Sequence, residues 1–331
     1  GSELGDDWRW LSELRFMYLP HGSSTDLSST TRFDNTVLDY TDFGRTVRWG
    51  SINIERAYIE KTIHPLLTVR VGHFLTPYGI WNVDHGSPVL IPVTRPFIVG
   101  ENLFPRTQSG IELYGTLNLE ATQIGYHLTV SNGRGPIDTY QDLDHNKALG
   151  GRLYLRQDLM DIGIATVGIS GYRGQFTDRH TAYGVDPSGA LTTSYPIDAQ
   201  RDELSLAADL KWQWKGLLLQ SEAILNEATY TNGGRPESLN AAFGGPPGFA
   251  ADYRNRGYYG LAGYRTPFLG IMPYLFYEHY WQRALASESK AWRGGLNIQP
   301  TPRVVLKAEL VRATIVRGLG IDGLTIYLLD F

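Results

Sequence analysis

The sequence predicts an all-β protein: a transmembrane antiparallel up-and-down β-barrel of about fourteen strands, with sixteen as the alternative. Three observations lead there. Short stretches of alternating polarity recur along all 331 residues, as strands with two unlike faces require. The connections between them alternate between tight and long, the plan of a meander with turns on one rim and loops on the other. The last stretch, 320–331 (GIDGLTIYLLDF), puts Gly323, Thr325, Tyr327, Leu329 and Phe331 on one face and finishes on an aromatic. Termini in water usually fray, whereas a strand that closes a sheet in lipid has a use for such an ending.

The strands follow in order. The first covers 8–19, where Trp10, Leu14, Phe16 and Tyr18 oppose Arg9, Glu13 and Arg15. Strands at 50–63 and 66–75 join at His64-Pro65, and 109–119 runs into 121–131 almost directly. Next come 149–158 and 162–172, then 203–215 and 217–229 joined at Gly216. Strands at 254–266 and 271–282 turn at 267–270, those at 290–299 and 303–314 turn at 300–302, and 320–331 closes the set. In 203–215, Leu204, Leu206, Leu210, Trp212 and Trp214 share one face, opposite Glu203, Asp209, Lys211 and Lys215. Long loops fall at 20–49, 76–108, 132–148, 173–202 and 230–253, all within a single barrel domain, 1–331. Half of a β-sandwich would also show two-faced strands, but it needs partner sheets of this length and leaves Phe331 unexplained.

Composition narrows the class. No apolar run approaches the ~18 residues of a membrane-spanning helix, and 12% aromatics with 37 glycines suits sheets better than bundles. The net charge of −4 argues against a general nucleic-acid binder. The lack of cysteine fits an exported chain that forms no disulfides. Gly1-Ser2 reads as a cloning scar ahead of a mature sequence from which a signal peptide has been removed.

The aromatic ending resembles the terminal signature of bacterial outer-membrane β-barrels, and that resemblance implies an outer-membrane location. Two further phrases, VRVGHFLTPYG (69–79) and LTVSNGRG (128–135), resemble the phosphate-selective-porin-like group of channels. Weaker echoes are LLLQSEA (217–223), MPYLFYE (272–278) and LNIQPTPRVVLKAE (296–309). The resemblance implies a porin. Its phosphate specificity is not carried over, because no ladder of lysines or arginines marks an anion path.

If the apolar faces meet lipid, the polar faces line a lumen. Parity places Arg9, Glu13, Arg15, Arg70, Glu112, His127, Arg152, Arg156, Asp209, Lys211, Glu222, Arg293, Lys307 and Glu309 there. Acids and bases nearly balance, so no ring of one sign emerges. They either solvate a wide lumen or pair across strands, or else form facing acidic and basic patches across a constriction. The segment 76–108 is the constriction candidate, with Trp81, Asp84, His85, Arg95, Glu101 and Arg106 and with apolar VLIPV and PFIV runs ill-suited to water. It either folds into the barrel and narrows it, or packs over the rim or against a neighbouring subunit.

No phosphate-binding loop, HExxH or cysteine-based metal site is present, so neither metal nor cofactor is expected. The expected function is a non-enzymatic channel for passive diffusion of small hydrophilic solutes or ions. Its partners are then membrane lipid or detergent, the solute, and either further copies of itself or another envelope protein. Two alternatives stand beside it. One is a partner-dependent barrel such as a polysaccharide conduit, with Tyr114, Tyr154, Tyr259 and Tyr277 as possible lumen platforms. The other is a hydrolase built on a strand histidine, His73, His127 or His279.

Overall fold

The computed structural model describes residues 2–3, 7–17, 51–82, 91–93, 95–100, 103–134, 144–185, 191–234, 252–282, 287–301, 304–317 and 320–330. Among them a single antiparallel sheet runs in chain order from β1 to β15. β1 (Ser2–Glu3) is a two-residue stub on β2 (Trp8–Met17), so fourteen full strands remain. They continue as β3 (Ser51–His64), β4 (Leu67–Leu75), β5 (Thr107–Leu119), β6 (Thr122–Ser131), β7 (Ala148–Asp158) and β8 (Ile164–Val185). Then come β9 (Leu191–Trp214), β10 (Leu217–Tyr230), β11 (Tyr253–Tyr264) and β12 (Met272–Gln282). β13 (Ser287–Thr301), β14 (Val304–Arg317) and β15 (Gly320–Asp330) complete the sheet. No ladder joins β15 back to β1 or β2 among the described residues.

The tight turns have the expected chemistry. At β9–β10 both Lys215 (φ 44°) and Gly216 (φ 87°) take positive φ, as a two-residue hairpin that follows the strand twist requires. One expectation needs correction. The stretch 173–202 is not an irregular loop. β8 and β9 stay paired through it, from Arg173↔Leu204 to Val185↔Leu191. A 22-residue strand is about 70 Å of extended chain, far more than a bilayer needs, so its outer half forms a hairpin beyond the lipid. Along 178–197 the sequence keeps no regular apolar–polar alternation, so hydropathy does not tell strand from loop there. The loop expected at 20–49, most of those at 132–148 and 230–253, and Phe331 lie outside the described residues.

The distribution of polarity is inverted. Leu149, Ile169, Leu128, Leu310 and Trp292 are all more than half exposed, whereas Glu112, Glu203 and Glu278 are 1% exposed and Arg293 3%. A water-soluble sheet would lose free energy on both counts. A sheet with lipid outside and polar groups inside loses none of it. Aromatics flank the outer apolar band. Trp212 and Trp214 stack at the short-turn end, their indole N–H groups on the Ile162 and Asp161 carbonyls. Tyr258, Tyr277, Trp281 and Trp292 cluster toward the long-loop end. Tyr277, named as a lumen platform for the conduit alternative, therefore belongs to the outer wall: β12 is apolar on both faces, and hydropathy cannot orient it.

Candidate functional site

The segment between β4 and β5 lies inside the sheet. Its backbone leaves β4 at Thr76, whose N–H donates to the Arg106 carbonyl where the chain rejoins the wall (3.0 Å). Between these points it meets nine consecutive strands. Tyr78 Oη bonds Thr129 of β6 (2.7 Å), and Arg152 of β7 donates to the Gly79 carbonyl. The Gly79 N–H donates to Ser170 of β8 (3.1 Å), and Ser205 of β9 donates to the Leu103 carbonyl (2.7 Å). The Ile80 N–H reaches Glu222 of β10 (3.4 Å), and the Trp81 indole N–H reaches the Tyr259 hydroxyl of β11 (2.6 Å). The Phe97 N–H, at the start of the one-turn helix α1 (Phe97–Gly100), donates to Glu278 of β12 (2.5 Å). Asn297 of β13 donates to the Ile91 carbonyl (2.9 Å), and the Val93 N–H donates to Glu309 of β14 (3.3 Å). Only a sheet curved around the segment can offer all these partners.

Two forces hold it there. Apolar side chains Tyr78, Trp81, Ile98, Leu103 and Phe104 pack with Tyr172, Ile224, Tyr259, Leu261 and Phe276 into one cluster, a hydrophobic core inside a polar-walled barrel. Burial pushes the Tyr78 phenol above its ordinary pKa, so it stays an uncharged donor. The irregular backbone exposes N–H groups with no ladder partner, and these must be satisfied once buried. Glu222, Glu278 and Glu309 accept three of them. Gly79 shows how close the approach is. Its φ is +69°, and a Cβ there would sit 1.9 Å from Glu222 Oε1, so no other residue fits without displacing the carboxylate.

The remaining wall is polar and paired. Arg70 bridges Glu60 (2.8 Å) and Glu112 (2.6 Å) on the neighbouring strands, Arg9 joins Glu60 (2.5 Å), and His127 Nδ1 lies 2.8 Å from Glu112. Arg56 pairs with Glu13 and Arg106 with Glu55. Arg152 reaches across β8 to Asp209 (2.7 Å) over Gly168, where a Cβ would meet that carboxylate at 2.5 Å. Arg293 pairs with Glu278 and lies 3.7 Å from Glu309.

Thus the residues placed inward by parity, from Arg9 to Glu309, share the face that carries the buried polar groups, apart from Arg15, whose side chain lies outside the described residues. Among the described residues Arg9, Glu13, Arg70, Glu112, His127, Arg152, Asp209, Arg293 and Glu309 meet partners of opposite character across strands, whereas Arg156 and Lys211 form no salt bridge. Trp81 and Arg106 stand inside the lumen with the Arg95 backbone, whose carbonyl accepts from Arg293 (3.2 Å). Asp84, His85 and Glu101 lie outside the described residues. Glu278, Ser170 and Thr129 escaped the sequence reading. Parity would have found Ser170 and Thr129, but Glu278 sits among the aromatics of β12.

On the outer wall, His73 Nδ1 and Ser109 Oγ lie 3.0 Å apart. Among the described residues no acid or amide orients the other ring nitrogen, so the pair lacks the third member of a catalytic triad. No group of metal-ligating residues occurs among them either.

Structural comparison finds the same architecture in a known protein. OmpT, an outer-membrane protein of Vibrio cholerae, matches in a form lacking loop L8 with TM-score 0.51 and 13% identity, over 81% of this chain and 76% of that one. OmpT folded in vitro, in its trimer form, matches with TM-score 0.50 and 12% identity, over 84% and 78%. The fold is that of an outer-membrane β-barrel. By sequence, an uncharacterized protein of Aquifex aeolicus is 34% identical over 86 residues. That match spans only 25% of this chain and 19% of the relative. No family model matches, and these comparisons do not single out the phosphate-selective group.

Proposed function

We propose that the chain is a porin-type channel of the bacterial outer membrane: one barrel unit, without an enzymatic step, through which small hydrophilic solutes or ions diffuse. The observation that carries this reading is the asymmetry of the lumen. The inner segment packs its apolar side chains against β8–β14. The wall of β2–β7 keeps a continuous row of charged and hydroxyl-bearing side chains, Arg9, Glu60, Arg70, Glu112, Tyr114 and His127, several of them partly exposed. A polar lane beside an apolar constriction suits a narrow water-filled path. Assembly into homo-oligomers in the outer-membrane lipid belongs to the same proposal, and the trimer form of OmpT supports it.

The packed inner segment favours a second reading, a barrel occluded until a partner protein moves it. Single-channel recording of the purified protein in a planar bilayer separates the two. The channel reading expects steady, small conductance and, under a salt gradient, a small reversal potential, because most of the lumen charges are paired. Correctly folded protein without conductance would replace it by the occluded barrel.

A further inference from the structure

The short-turn end of the lumen holds a cavity of about 750 Å³, within the size range of small-molecule sites. Its floor is the inner segment, with Ile80, Trp81 and Ile91, and its apolar side wall is Leu218, Leu261 and Met272. Its polar side carries Lys211 and Gln220, which belong to a cross-strand row on the inward face, Arg156↔Thr166↔Lys211↔Gln220.

This row breaks the rule that governs the middle of the barrel. There Arg9, Arg56, Arg70, Arg152 and Arg293 each meet a carboxylate. Among the described residues, Arg156 and Lys211 form no salt bridge, although strand spacing puts them only about 10 Å apart. The acid nearest Lys211 in sequence, Asp209 on the same inward face, is taken by Arg152 (2.7 Å), and Asp158 and Asp161 lie in the β7–β8 turn that rims the cavity. Asp158 is engaged there by the Met160 N–H (2.9 Å). Lys215 and Arg265 stand on the same rim, the latter donating to Gln299 Oε1 (2.7 Å). The positive groups therefore outnumber the negative ones at a mouth whose floor is apolar.

We propose that this vestibule binds a small amphipathic anion, an acid group carried on a ring or short hydrocarbon body. Lys211 takes the acid group, with Arg156 two strands along the row adding positive charge, and the Ile80–Trp81 floor with the Leu261 wall takes the apolar body. An inorganic anion would leave the floor unused, and a neutral apolar solute would leave the cations without a counter-charge. The assignment deepens the channel reading by naming a solute class, but binding at the mouth does not itself require permeation.

The test is equilibrium binding to the full-length protein in lipid nanodiscs, with phenylacetate, phenylacetamide and acetate as probes. Phenylacetate is expected to bind at least tenfold more tightly than either, since the amide lacks the charge and acetate lacks the ring. Lys211→Gln should weaken phenylacetate about tenfold and leave phenylacetamide unchanged. Equal affinity for phenylacetate and its amide in the wild type overturns the proposal without any variant. Unchanged phenylacetate binding in Lys211→Gln, Arg156→Gln protein overturns it too. Conductance is recorded on the same preparation. Binding without conductance sinks the channel reading and sustains the vestibule, and conductance without selective binding does the reverse.

Discussion

Replacing Trp81 with alanine tests whether the inner segment sets the width of the path. Trp81 is 3% exposed, meets Tyr259 edge-on at 5.9 Å and donates its indole N–H to the Tyr259 hydroxyl. Truncating a buried aromatic of this size costs about 3–5 kcal/mol. Little is recovered elsewhere, because the Tyr259 hydroxyl already takes Gln220 Nε2 (2.8 Å) and donates to Glu222 (3.3 Å). The loss falls on the seating of the segment and not on the strand ladder, to which Trp81 contributes no hydrogen bond. At 1.4 kcal/mol per tenfold, the ratio of seated to displaced segment drops by roughly two to three and a half orders of magnitude.

The expected record is therefore a larger mean conductance with frequent brief openings, in protein that still migrates as a folded barrel on an unheated gel. Tyr259→Phe removes only the shared hydroxyl, worth about 0.5–1.5 kcal/mol, and should shift the same record by tenfold or less in open-state occupancy. If Trp81→Ala keeps the wild-type conductance and noise while folded, the segment is not the constriction and the reasoning fails.

Other outcomes follow from the same contacts. Gly79→Ala should disturb gating as Trp81→Ala does, since it strains a left-handed residue by about 1–2 kcal/mol and evicts Glu222; wild-type recordings would show that the carboxylate simply swings aside. Arg293→Met leaves Glu278 and Glu309 buried beside each other without their shared cation, and should lower the thermal unfolding midpoint by a loss of about 3–5 kcal/mol. Because the chain has no cysteine, single cysteines report access cleanly. Lys211→Cys should react quickly with a water-soluble thiol reagent, whereas Ser170→Cys, beneath Gly79, should react at least tenfold more slowly. Equal rates would place both in open water.

The sheet was legible in the sequence because lipid enforces alternation. Leu204, Leu206 and Leu210 face outward and Glu203, Ser205 and Asp209 inward simply because each environment rejects the other set. Legibility ended wherever that contrast ended. In the outer half of β8–β9 the apolar–polar alternation of the sequence lapses, and a ladder passed for a loop. In β12 aromatics face the lipid on one side and the inner segment on the other, so Tyr277 was misplaced and Glu278 overlooked. The apolar runs of 76–108 flagged the inner segment, but not where it goes. Its position is set by backbone N–H groups meeting Ser170, Glu222, Glu278 and Glu309 on strands far along the chain, and no local pattern records such pairings.

Those pairings also change what the buried glutamates mean. A row of lumen carboxylates would ordinarily be read as a cation filter. Glu222, Glu278 and Glu309 are instead turned toward the N–H groups of an apolar loop, and two of the three share Arg293. A carboxylate held by a backbone donor and a guanidinium presents little free charge to a passing ion. Its role is to let an irregular segment rest inside a barrel without leaving buried donors unsatisfied. In the channel we propose, selectivity then comes from charges that stay unneutralised, and on the inward face Arg156 and Lys211, toward the short-turn end, are the clearest of these among the described residues. Neutralising both should move the reversal potential more than neutralising Glu222, even though Glu222 lies deeper in the lumen.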